Sequence, residues 1–238
     1  MNERILRELE LAEVVALARG ERKDEAEASS RQPAESTIAP NFPPPASRLS
    51  PSDMSWAELR SAVQSCRACG LCKARKQAVF GVGSETGPWL FVGEGPGADE
   101  DEQGDPFVGQ AGKLLDAMLA AAGLERGRNA YIANVVKCRP PGNRTPTLEE
   151  ATACAPFLDR QIDLVSPKII VALGKTAATR LLGNEAASLG SLRGRVHGYR
   201  GRPLVVTYHP AYLLRTLPDK AKAWDDLLFA RRTLRAAA

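Results

Sequence analysis

Four apolar runs, Trp89–Val92, Tyr131–Val136, Lys168–Leu173 and Pro203–Tyr208, alternate with segments of helical periodicity, notably Ala111–Ala122 and Leu148–Val165. A parallel strand pair needs a long crossover between its members, and that crossover is ordinarily a helix. Strands covered by helices on both faces need no polar alternation, and these runs have none. The pattern therefore predicts an α/β fold with a mainly parallel central sheet. Parallel strands point the same way, so the residues that follow them collect on one edge, where open α/β sheets bind ligands. Glu94, Asn134 and His209 all fall at or near such ends.

The first run stops in Gly93-Glu94-Gly95-Pro96-Gly97. Glycine lets a ligand approach the main chain, and proline removes a donor and fixes its own φ. No Gly-Lys-Ser/Thr closes the loop and it carries an acid, both unfavourable for phosphate. Asp99-Glu100-Asp101-Glu102 and Pro106-Phe107-Val108-Gly109 follow, bringing more carboxylates and an aromatic ring near the same turn.

The rest of the chain bounds the problem. At 238 residues with 44% hydrophobic content, one substantial core with appendages is expected. Residues 1–19 are predicted as a short amphipathic helix, with Ile5, Leu6, Leu9, Val14, Val15 and Leu17 near helical spacing, serving as a docking helix or merely as a solubilising cap. Residues 20–54, rich in Glu, Ala, Ser and Pro, read as a disordered linker, and residues 55–238 as the folded domain. No apolar run approaches the roughly 18 residues that span a bilayer, so a cytoplasmic protein without membrane contact is expected. The net charge is only +4, but residues 190–238 hold ten Lys/Arg against three Asp/Glu, a basic excess that suits a polyanion.

Five cysteines without an export signal favour metal or reactive thiols over disulfides. Cys66 and Cys69 have C-x2-C spacing, and Cys138 and Cys154 form a second pair; four thiolates from two distant segments can close one site. Cys72 stands in the same register with Cys69, so the residues leave open which of the three N-terminal cysteines contribute. Spacing leaves zinc and iron–sulfur equally open. The 68 residues between the pairs disfavour a compact ferredoxin-like electron carrier.

Several motifs occur in order: Cys66-x2-Cys69; Gly93-Glu94-Gly95-Pro96-Gly97; Gly104-Asp105-Pro106-Phe107-Val108-Gly109-Gln110-Ala111-Gly112; the run from Tyr131 through Asn134, Lys137-Cys138-Arg139-Pro140-Pro141-Gly142 to Asn143-Arg144; and His209-Pro210-Ala211-Tyr212-Leu213-Leu214. Through them the chain resembles the family 4 uracil-DNA glycosylases, the iron–sulfur type of bacteria and archaea, from about Cys66 to Leu234. The resemblance implies a three-layer α/β/α sandwich and a [4Fe–4S] cluster on Cys66, Cys69, Cys138 and Cys154, with Cys72 outside the ligand set. It also implies hydrolysis of the N-glycosidic bond of uracil in single- and double-stranded DNA, as in base excision repair, by a nucleoid-associated monomer whose N-terminal helix would dock a replication or repair protein.

The roles that follow match the chemistry of the side chains. His209, neutral, would donate to uracil O2 and stabilise the departing base. The Asn134 amide suits the N3–H and O4 edge, Phe107 offers a stacking face, and Gly93 and Gly95 let the base lie against the backbone. Glu94 would orient or deprotonate the attacking water, Glu100 would hold or tune it, and Asn143 would complete that polar network. Leu213 or Leu214 would fill the vacated stack. Arg215 and Arg144, with Arg139, Arg193 and Arg195, would hold phosphates. His197 is expected to be an ordinary structural histidine. The alternative is a catalytically weak uracil-DNA binding or trapping protein on the same fold. The segment Asn143 to Leu148 holds neither the basic insertion nor the histidine of the covalently trapping offshoot.

Overall fold

Each of the long strands forms where apolar, mostly branched or aromatic residues run without charge, and ends where a glycine, an amide or a hydroxyl residue interrupts them. In a computed structural model of the chain, residues 50–236 are described. The predicted N-terminal helix and the linker up to residue 49 lie outside them. The strands are β1 Val82–Gly83, β2 Trp89–Gly93, β3 Ala130–Asn134, β4 Ile169–Leu173, β5 His197–Tyr199 and β6 Arg202–Thr207. The α-helices are α1 Trp56–Ser65, α2 Ala98–Gln103, α3 Gln110–Ala121, α4 Leu148–Val165, α5 Lys175–Leu182, α6 Leu189–Leu192, α7 Pro210–Leu213 and α8 Asp219–Ala236.

One sheet takes the order β1-β3-β2-β4-β6-β5. β2, β3, β4 and β6 are parallel, and β1 and β5 close the edges antiparallel. The four parallel strands are those the apolar runs predicted. The edge strands are too short to register as a sequence pattern. The run Tyr131–Val136 overshoots its strand, since β3 ends at Asn134. Val135 and Val136 leave the sheet and donate instead to the carbonyls of Gly93 at 2.9 Å and Glu94 at 3.2 Å, which ties the two loops together.

Helices cover both faces, giving the three-layer α/β sandwich. Leu90, Val92, Tyr131, Ala133, Ile170 and Val206 share a core with Leu59 and Val63 of α1, Leu158 and Ile162 of α4, and Ala177 and Leu181 of α5. The alternate strand residues point to the opposite face, as the period of two requires; there α8 packs on β4 and β6. Capping boxes start α1 and α4: Ser55 with Glu58, and Thr147 with Glu150.

Two features place the site. Chain order runs from β2 to β3 on one side and from β4 to β6 on the other, so the winding reverses between β2 and β4, the position where a crevice opens at the carboxyl ends. The residues just before the expected boundary at Ser55 also pack on the core. Pro51–Asp53 form a 3-10 turn that returns Met54, 3% exposed, to the core, and the Met54 carbonyl accepts from Arg160 Nε at 2.6 Å.

Candidate active site

A cleft of about 520 Å³ lies at that crevice. It takes Glu94 and Gly95 from the loop after β2, Phe107 from the loop before α3, Asn134 from the end of β3, and His209 and Arg215 from beyond β6.

The floor is built by close approach. A Cβ on Gly93 would stand 2.5 Å from Phe107 Cζ and closer still to Asn134 Oδ1, so only glycine lets these two groups converge. Asn134 is 2% exposed, and its Oδ1 has no hydrogen-bond partner among the described residues. An unpaired buried amide oxygen is costly, and here it belongs to a residue lining the cleft. Phe107, 6% exposed, adopts the left-handed φ of 56°, which a bulky residue seldom takes. Arg126 supplies the restraint: its guanidinium donates to the carbonyls of Pro106 at 2.6 Å and Phe107 at 2.9 Å while pairing with Asp116 at 2.8 Å. Nothing in the sequence singled out Arg126, because it acts from nineteen residues away.

His209 caps α7, and its Nδ1 accepts from the Ala211 N–H at 3.2 Å. That bond fixes the neutral tautomer, leaving the proton on Nε2. Burial lowers the pKa of the ring to about 4, and the Arg215 charge pushes the same way against Glu100. The ring sits 5.5 Å from that of Phe107, centroid to centroid. Gly174, at φ 87°, lets the chain pass His209 where a Cβ would come within 2.9 Å of the histidine's own.

Glu94 is half-buried, and its Oε2 accepts from the Thr176 hydroxyl at the start of α5. This bond crosses the reversal point between β2 and β4, and sequence reading missed Thr176 because it lies 82 residues from Glu94. Glu100 also lines the cleft. Its Oε1 accepts from the N–H groups of Val108 at 2.9 Å and Gly109 at 3.1 Å, and its Oε2 from that of Gly97 at 3.0 Å. The carboxylate thus clamps two loops together. Asp101, beside it, is buried and receives the Lys76 N–H at 3.0 Å, so this acidic run is not simply a solvated one. Asn143 lines the cleft, but its Oδ1 accepts from Arg139 Nε at 2.8 Å, and it has no hydrogen bond to Glu94.

The expected DNA contacts divide. Leu213 is fully buried and cannot serve as a wedge, because α7 turns it into the core; Leu214 is 40% exposed. Arg215 is exposed and has no ion pair among the described residues. Arg144 lines the cleft while bound to Glu150 at 2.7 Å. Arg193 is excluded as a phosphate contact: it pairs with Asp226 at 2.6 Å and lies over the Tyr208 ring at 4.3 Å. His197 is structural as expected, with Nε2 2.7 Å from the Leu192 carbonyl.

The cysteines meet beside the loop after β3. All five line one cavity, with Cys138 and Cys154 buried. Burial pushes the Cys138 thiol up to about 11 and the Cys154 thiol to about 12, and Arg75 opposes the shift at Cys138 by donating to its sulfur at 2.8 Å. Among the described residues no three metal-binding side chains are arranged around a single ion. A polynuclear cluster binds each thiolate through a different iron, so it needs sulfurs around a shared cavity rather than around a point. The donor set and its placement fit such a cluster.

Comparison with known proteins adds a family model, the uracil DNA glycosylase superfamily, which matches residues 80–228. A type-4 uracil-DNA glycosylase of Thermotoga maritima is 47% identical over 161 residues, covering 67% of this chain and 83% of the relative. Those of Pyrobaculum aerophilum and Sulfurisphaera tokodaii are each 46% identical, over 183 and 168 residues, covering 73% and 67% of this chain and 92% and 76% of the relatives.

Proposed function

Since the chain belongs to the uracil-DNA glycosylase superfamily, we propose that it extrudes uracil from DNA and hydrolyses the N-glycosidic bond, leaving an abasic site. The observation that carries this reading is the unpartnered Asn134 Oδ1 beside Phe107 and Gly93. A uracil on the Phe107 face presents N3–H to that oxygen and O4 to the amide nitrogen, whereas cytosine carries an acceptor at N3 and is refused.

Bond cleavage places negative charge on the base and positive charge on the sugar. His209, neutral with its proton on Nε2, donates to O2 as charge develops there. Arg215 adds a positive field from the rim. Glu94, held by Thr176 through Oε2, uses its other oxygen to accept from a water and direct it at the sugar carbon. Glu100 is a positioning residue that keeps the Phe107 loop against the loop after β2. Leu214 fills the space the base leaves, and Arg215 holds a neighbouring phosphate.

Cys66, Cys69, Cys138 and Cys154 would hold a [4Fe–4S] cluster. When bound, it supplies a structural cross-link between the segment after α1, the loop after β3, and α4. The catalytic domain begins at Pro51, and removing residues 1–49 is expected to leave turnover on a short oligonucleotide unchanged; its collapse would place part of the site in the N-terminal segment. Incubation with uracil-containing oligonucleotides, then alkaline cleavage at abasic sites, tests the activity. Intact uracil strands after extended incubation would refute it.

A further inference from the structure

Lys137 stands between the two sites, three residues after Asn134 and directly before Cys138. It is 1% exposed. Its Nζ donates to the Asn134 carbonyl at 2.9 Å and to Gln161 Oε1 at 2.5 Å, and the same side chain lines the cysteine cavity. Gln161 is itself pinned, with Nε2 donating to the Phe80 carbonyl at 2.9 Å and lying 3.3 Å from the Tyr131 hydroxyl. No carboxylate pairs with Lys137 among the described residues. A buried ammonium with only neutral acceptors is strongly unfavourable. Cys138 follows it directly in the chain, and Cys138 and Cys154 line the same cavity as its side chain.

We propose that Lys137 is a positioning residue that couples the cysteine site to the uracil pocket. The thiolate-ligated cluster, a net anion, holds the ammonium, and the ammonium holds the Asn134 carbonyl. It acts at the last residue of β3, where the ladder stops and the amide side chain must stay aimed at the base. This account explains why a lysine occupies a position that packing alone would give to leucine or methionine. It rests on the preceding reading that the four cysteines hold the cluster and that Asn134 reads uracil.

The test uses full-length holoprotein and an oligonucleotide carrying 2′-fluorinated deoxyuridine, which resists hydrolysis, with a cytosine oligonucleotide as control. Lys137→Met should weaken binding of the fluorinated probe about tenfold, the scale of one charged hydrogen bond, and leave cytosine binding unchanged. The cluster's visible absorbance should decay faster under ferricyanide and EDTA, and its reduction potential should become more negative, since a nearby cation has gone. Stripping the cluster from the unsubstituted protein should cost the same affinity, and stripping it from Lys137→Met should cost no more. Should Lys137→Met not fold, Lys137→Gln is measured for decay, potential and affinity with the same expectations. Losses that multiply in the stripped variant, or unaltered potential, decay and affinity in a folded variant, would overturn the coupling. Absence of iron–sulfur absorbance in the unsubstituted protein, or undiminished probe binding by Asn134→Ala, would instead overturn the reading beneath it.

Discussion

The cleft and the cysteine cavity lie on either side of one short segment, Asn134 to Cys138, yet they are finished in different ways. In the cleft, hydrogen bonds within the chain already set the lining groups. Ala211 fixes the His209 tautomer, Thr176 holds Glu94, and Arg126 holds the loop of Phe107. In the cavity the thiols are buried and reluctant to ionise, while Arg75 and Lys137 bring positive charge toward them. The difference teaches that hydrogen bonds suffice to aim neutral and carboxylate groups, whereas a set of buried thiols becomes a proper structural element only when a metal group stabilises the thiolates.

Variants on the two sides should therefore fail differently. The largest effect is expected from Cys154→Ser, which removes one cavity ligand: visible absorbance should be lost and thermal stability should fall on the order of 10 °C, a loss of several kcal/mol. An unchanged melting temperature would place Cys154 outside the cluster. On the cleft side, Glu94→Gln should lower kcat by about 10²–10⁴-fold with no change in absorbance or melting temperature. A wild-type rate would remove Glu94 from the handling of water.

His209→Ala should cost about 10²–10³ in kcat, the range for one donor to a developing oxyanion. The pH profile sharpens the point. With its pKa lowered to about 4, His209 stays neutral throughout the neutral range, so activity should persist below pH 6.5 and fall only as the medium approaches the histidine's own pKa. The same depression favours folding at neutral pH. That contribution is complete above the ordinary histidine value, declines as pH falls below it, and is exhausted once pH passes the folded value. An acid limb centred near 6.5 would contradict the assigned environment. Arg126→Gln and Thr176→Val should have the smallest effects, about tenfold each, because each removes a support rather than a reacting group. For Arg126→Gln the loss should fall on KM and on inhibition by free uracil; a loss confined to kcat would mean that Phe107 keeps its place without the clamp.

How much was legible in advance follows the range of the forces involved. Asn134 and His209 could be picked out because strand ends are local features and their polar termini stand out against apolar runs. Leu213 and Leu214 could not be separated, since a one-residue rotation about α7 decides which is fully buried and which is 40% exposed. Glu100 and Asp101 looked alike in an acidic run, and only the arrival of Gly97, Val108 and Lys76 amides gave each its task. Arg193 looked like a phosphate contact until α8 brought Asp226 to it.

By itself the sequence determined the parallel sheet, the edge where its functional residues gather, and the pairing of two distant cysteine segments. These depend on periodicity, glycine sterics and thiolate spacing, all written along the chain. Only the tertiary structure decided that Arg126 restrains Phe107, that Thr176 holds Glu94, and that Lys137 lies between Asn134 and the thiols. Each of those decisions depends on where crossover helices and loops bring partners together in space, and residue order does not specify that distance.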